Sequence, residues 1–125
     1  MFTISNNNII SLSRGDEVST PIFINWGTQM RPVRYVLQEH DRLYFYLYEP
    51  NYSCEKCLLK KEYTNENLNE YGDVVLEFSE EDTRCLLPGQ YYYEIKVKRV
   101  EINGELIVDE AMNTIVPQTK FFIVE

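Results

Sequence analysis

From Tyr91 the chain alternates strictly, with Tyr91, Tyr93, Ile95 and Val97 on one side of an extended backbone and Tyr92, Glu94, Lys96 and Lys98 on the other. This pattern predicts a strand with one buried and one wet face, entered through the tight turn of Pro88-Gly89. A single apolar face needs a second layer to cover it. The rest of the chain offers more strands and hardly any helix, so that layer is expected to be another sheet.

The same reading carried along the chain predicts a short strand over 9–13, a turn at Arg14-Gly15-Asp16 that reverses it, and a second strand over 18–26. Pro21 cannot donate to a ladder and so marks an edge or a bend, which puts these first two strands at a sheet edge. A loop is expected over 27–32. Apolar runs over 33–38 and 43–48 flank the polar cluster Glu39-His40-Asp41-Arg42, which suits a hairpin turn. Further strands are expected over 58–64, carrying Lys60-Lys61 outward at least in part, and over 74–78, with a polar connection and one helical turn between them. Residues 80–86 suit a short helical turn with Ser79 as N-cap and acidic side chains in the first turn.

Asn103-Gly104 holds the two central positions that a type I′ hairpin requires, so 91–100 is expected to pair antiparallel with 105–109. Strands over 112–116 and 120–124, separated by Pro117, close the chain. Eight or nine short strands at roughly ten-residue spacing predict an all-β fold, an antiparallel β-sandwich in a single domain over 1–125.

The run over 43–48 differs from the others. Leu43, Phe45 and Leu47 face one way and Tyr44, Tyr46 and Tyr48 the other, so neither face is plainly wet. One reading is a central strand whose tyrosines are partly covered by neighbours. The other is a tyrosine ladder on an exposed sheet face that packs on a partner protein, since Tyr is enriched in interface cores. Tyr44, Tyr46 and Tyr48 are therefore the candidate protein interface.

Composition sharpens this picture in two respects. Ten Tyr and six Phe against five Gly favour a pleated, aromatic-rich structure. The net charge of −8, with no broad basic stripe in the sequence, argues against nucleic acid as a partner. No basic segment followed by a continuous apolar run opens the chain, and no apolar run approaches the roughly 20 residues of a membrane span, so a soluble product made in a cytoplasm is expected. Three Cys, an odd number, argue against a disulfide framework of the secreted kind.

Candidate chemistry is sparse. Cys54-Glu55-Lys56-Cys57 is metal-like and would form a Cys₃His site if Cys85 and His40 converged on it, but a second closely spaced ligand pair is missing. Reduced Cys is also an ordinary buried hydrophobe. His40 reads as a solvated turn residue, and Glu80, Glu81 and Asp82 as capping and solvation of a helical first turn. No catalytic residue, cofactor or metal is assigned, and the chain is expected to be no enzyme. Trp26 and exposed tyrosines also suit stacking on sugar faces, the reading of a carbohydrate- or cell-surface-binding module.

A resemblance carries the reading further. Arg14-Gly15-Asp16, Tyr48-Glu49-Pro50-Asn51, Leu58-Leu59-Lys60-Lys61, Gly72-Asp73-Val74-Val75-Leu76, Asp82-Thr83, the run Leu86-Leu87-Pro88-Gly89-Gln90-Tyr91-Tyr92-Tyr93-Glu94-Ile95, Thr114-Ile115-Val116-Pro117 and the ending Phe121-Phe122-Ile123-Val124-Glu125 occur in this order. Together they resemble a family of small immunoglobulin-like phage proteins, similar to the N-terminal domain of phage baseplate upper proteins. The resemblance implies an immunoglobulin-like sandwich of about eight strands in a non-enzymatic virion component of tail, baseplate or fibre. Capsid decoration or head-fibre proteins belong to the same class. It implies partners among other virion proteins, lateral attachment in place of a stalk, and residence in the virion after synthesis in the host cytoplasm. A homo-oligomer within the particle is compatible with all of this.

Overall fold

A computed structural model describes residues 2–4, 8–22, 24–28, 31–49, 57–84, 86–103 and 106–125. Its ten strands in chain order are β1 (Phe2–Ile4), β2 (Ile10–Ser13), β3 (Val18–Ile22), β4 (Asn25–Thr28), β5 (Arg31–Arg34), β6 (Arg42–Tyr48), β7 (Cys57–Tyr63), β8 (Val74–Phe78), β9 (Gly89–Asn103) and β10 (Leu106–Val124). A single 3-10 turn (Asn65–Asn67) and one short helix, α1 (Glu80–Arg84), complete the described elements. The protein is all-β, as its alternating pattern predicts.

Six strands form one sheet in the order β1-β2-β10-β9-β6-β7, curled into half a barrel. Every pairing in it is antiparallel except that of β2 with β10. β3 and β8 form a second, two-stranded sheet, and β4 and β5 a third. The inner residues of β6, β8, β9 and β10 meet in one core. Phe45 sits at its centre, with ring centroids 5.4 Å from Phe78, 5.6 Å from Tyr93 and 6.4 Å from Phe121. Rings at these separations add about 0.5–1.5 kcal/mol per pair beyond the burial of their area. Leu43, Leu47, Leu76, Val97 and Ile123 close around them, all buried.

The buried set Tyr91, Tyr93, Ile95 and Val97 is the one that alternation selects. Its opposite face is drier than expected, because Glu94 is buried as well. The hairpin of β9 and β10 forms, with Asn103 paired to Leu106 and therefore one residue along from the expected register. The runs 105–109, 112–116 and 120–124, read as separate strands, belong from Leu106 onward to the single strand β10. Pro117 does not break it. Val116 pairs with Ile95 and Thr119 with Tyr93, so Pro117 and Gln118 together oppose Glu94 in a β-bulge, where a missing N–H costs no ladder bond.

Other expectations about the first half are corrected. The 14–16 segment is a turn, closed by the Asp16 amide on the Ser13 carbonyl at 3.1 Å, but it does not form a hairpin. The Arg14 amide donates to Val124 in the six-stranded sheet, and the Gly15 amide to Thr83 Oγ1 of α1 at 2.9 Å. Both bonds lead the chain across from one layer to the other. β2 is consequently interior, between β1 and β10, and only β3 with Pro21 has the edge position expected of both. The expected loop over 27–32 falls within the β4–β5 pair, whose partners include Gly27 with Pro32. Runs 33–38 and 43–48 do not pair with each other. A turn at 38–41 does separate them, and Asp41, buried at its end, accepts from the Gln38 amide at 2.9 Å, the Val100 amide at 3.2 Å and the Tyr35 hydroxyl.

Candidate functional site

β6 lies between β7 and β9, so its outward tyrosines have neighbours on both sides. Leu43, Phe45 and Leu47 are completely buried on the inner face, which forces Tyr44, Tyr46 and Tyr48 onto the outer one. The three rings form a stack. Tyr44 and Tyr46 are 6.0 Å apart between centroids and inclined by 23°, and Tyr46 and Tyr48 are 6.2 Å apart at 22°. Lys60, which pairs with Tyr46 across the strands, holds its ammonium 5.1 Å from the Tyr44 centroid and 5.8 Å from that of Tyr46. A cation over the negative face of a ring is attracted to it, and here one cation caps two rings.

The tyrosines are not equivalent. Tyr44 and Tyr46 are half-buried, whereas Tyr48 is 2% exposed and donates its hydroxyl to Glu94 Oε1 at 2.6 Å. Lys96 approaches the same oxygen at 3.8 Å. The central-strand arrangement is therefore present, and above it Tyr44 and Tyr46 keep surface that a partner can cover. Arg42 and Glu62, 3.8 Å apart, lie at the Tyr44 end.

Sequence reasoning places Lys60, Lys96 and Lys98 outward on their own strands without joining them to the tyrosines. Strand order does that. Lys96 pairs with Tyr44 on one side and Thr114 on the other, and Lys98 pairs with Arg42 and Met112. The signal was present in each strand's alternation but not in any statement of which strands are neighbours.

Of the metal-like set, Cys54 and Cys85 lie outside the described residues, and Cys57 opens β7 opposite Tyr48. His40 is exposed in its turn, 4.0 Å from Glu39. Among the described residues no three metal-ligating side chains gather. Asp82 behaves as a helix-start residue, accepting from the Ser79 amide at 2.7 Å and pairing with Lys61 at 2.9 Å. Burial alone would raise its pKa, but these two donors outweigh burial and hold the carboxyl below its ordinary value.

A cavity of about 520 Å³ opens between β3 and the six-stranded sheet, lined by Ile10, Pro21, Ile22, Ile95 and Val116 among others. Among its described lining residues the one titratable group is the Tyr93 phenol, which burial pushes up to about 12 and so keeps neutral. Trp26 lies on β4, and its side chain is not among those described. No helix among the described residues is long and apolar enough to cross a membrane. Comparison of the chain with protein-family models, with curated proteins and with solved structures returns no match.

Proposed function

We propose that this chain is a non-enzymatic virion protein of a phage or prophage, an immunoglobulin-like module of the tail, baseplate, fibre or capsid surface that docks laterally on other virion proteins. The fold belongs to the same proposal: an immunoglobulin-like sandwich in which the six-stranded sheet faces the β3–β8 layer. The observation that carries the reading is the Tyr44–Tyr46 stack capped by Lys60 on the outer face of the large sheet. Rigid aromatic rings with polar tips contribute contact area at small entropic cost, and many symmetric copies turn modest contacts into firm attachment. The sequence resemblance, from Arg14-Gly15-Asp16 to the terminal Phe121-Phe122-Ile123, supports the phage assignment.

A carbohydrate-binding module would be favoured by aromatics clustered at one end of the sandwich. Tyr44 and Tyr46 instead lie along an interior strand, with pairing partners on both sides, which suits a broad protein contact. The test uses particles purified from the phage or prophage that encodes the chain. The protein is expected there in fixed ratio to the major structural protein, and Tyr44→Ala with Tyr46→Ala is expected to lower that ratio. Recovery of the wild-type chain only in the unassembled fraction would overturn the proposal.

A further inference from the structure

The two outer faces of the molecule carry opposite charge. Alternation from the buried residues places Arg42, Lys60, Lys96, Lys98 and Lys120 on the outward side of β6, β7, β9 and β10. These are five of the chain's twelve lysines and arginines, and among the residues of that face whose side chains are described Glu62 and Glu94 are the accompanying carboxylates, out of twenty in the chain, while the register also pairs Glu110 with Val100 there. One of the two, Glu94, is buried against Tyr48. In a chain of net charge −8 this face is locally basic.

On the opposite layer, Ile22, Val74, Leu76 and Phe78 point into the core, which leaves Ser19, Pro21, Val75 and Glu77 outward. Glu77 shares one cavity wall with Glu17 and another with Glu66, and exposed Glu80 and Glu81 follow at the start of α1. The cations nearby are committed locally: Lys61 to Asp82 at 2.9 Å, Arg84 to Glu80, and Arg14 to Glu125 at 3.0 Å. This layer is acidic.

We infer that the tyrosine–lysine face of one copy docks on the acidic β3–β8 face of a second copy, head to tail. The faces look in opposite directions because their inner sides share one core, in which Phe78 meets Phe45 and Phe121. Each docked pair therefore keeps one unused face of each kind, and the contact propagates into a ring or a filament. Docking of like faces would set Lys60 against Lys60 and is disfavoured. Exposed ion pairs contribute little individually, so their role is to choose orientation and speed encounter, while the preordered tyrosine stack supplies contact area. A long polyanion is a poorer fit, since its charges extend past the face towards the acidic remainder of the chain. The inference rests on reading the tyrosine face as an interface, but not on the virion assignment.

The test is the mass of the purified chain by light scattering, against concentration, at low ionic strength and in about 0.5 M salt, where charge interactions reach only a few Å. Mass is expected to rise with concentration at low salt and to fall back in high salt. Two charge-reversed variants decide the geometry, one carrying Lys60→Glu and Lys120→Glu, the other Glu17→Lys and Glu77→Lys, all at exposed positions. Each alone is expected to associate roughly 100-fold more weakly or worse, since like charges then face each other. Their mixture is expected to restore association, because the unaltered face of each variant meets that of the other and the two reversed faces are again opposite in charge. Circular dichroism melts check that both variants are folded. A wild-type chain that stays monomeric at every concentration in low salt would overturn the inference, as would folded variants that fail to pair when mixed. Neither result bears on whether the chain is present in particles, so the two proposals fail separately.

Discussion

Tyr48 and Glu94, on adjacent strands, share a 2.6 Å hydrogen bond from the phenol to Oε1, and this contact buries a carboxylate that alternation assigns to water. Tyr48→Phe would leave that oxygen with Lys96 at 3.8 Å as its remaining partner among the described residues. A buried acceptor stripped of its donor costs about 1–3 kcal/mol, more when charged. Urea unfolding is expected to show that loss for Tyr48→Phe and a smaller one for Glu94→Gln, which keeps an acceptor oxygen. Equal stability of Tyr48→Phe and wild type would show that the bond does not hold the carboxylate.

Neighbouring positions on β6 should respond very differently to truncation. Phe45 is fully buried among Phe78, Tyr93 and Phe121, so Phe45→Ala is expected to cost about 3–5 kcal/mol through a cavity that rigid neighbours cannot fill. Tyr44, half-buried on the outer face, is expected to cost about 1 kcal/mol or less. Thermal melts of the two variants side by side check the contrast, and a Tyr44→Ala loss as large as that of Phe45→Ala would contradict the layer assignment.

Stability at acid pH should depend on Asp82. Its folded-state carboxyl lies below the ordinary 3.8, so its stabilisation is present above that pH and is lost as pH falls through the depressed value. Asp82→Asn removes both the ionic partner of Lys61 and the charged cap on the Ser79 amide, for an expected loss of about 1 kcal/mol at neutral pH. Below the folded-state value wild type and variant should converge. Parallel stability curves across the acid range would show that Asp82 does not titrate as described.

The alkaline limb should depend on two phenols. Tyr35 and Tyr93 are both pushed up to about 12 from an ordinary 10.0, each chiefly by burial, with Asp41 beside Tyr35 adding to the effect. The folded chain holds these protons more tightly than the unfolded chain, so the associated stability is intact below pH 10 and drains away as pH rises towards about 12. Melting temperature is expected to fall over this window, and Tyr93→Phe should fall less steeply. The same slope in both proteins would exclude Tyr93 as a contributor.

Much of the architecture is legible residue by residue. The buried set of β9, the burial of Leu43, Phe45 and Leu47, and the helical turn after Ser79 all follow from local periodicity and capping, because side-chain direction along a strand repeats every two residues whatever the strand pairs with. The tyrosine stack was visible on the same grounds. Its lysine cap was not, since Lys60 lies on a different strand and reaches the rings only through the register of β6 with β7.

What the sequence by itself determined is which side chains each strand presents to its two faces, and hence an all-β protein with an aromatic core. Which strands become neighbours was decided only in three dimensions. The Gly15 amide can satisfy itself at Thr83 or in a hairpin, and Pro117 can end a strand or occupy a bulge; in each case the choice depends on a partner many residues away. Backbone donors and acceptors are chemically alike along the chain, so local pattern ranks no pairing over another. Burying one shared set of rings, Phe45, Phe78, Tyr93 and Phe121, does.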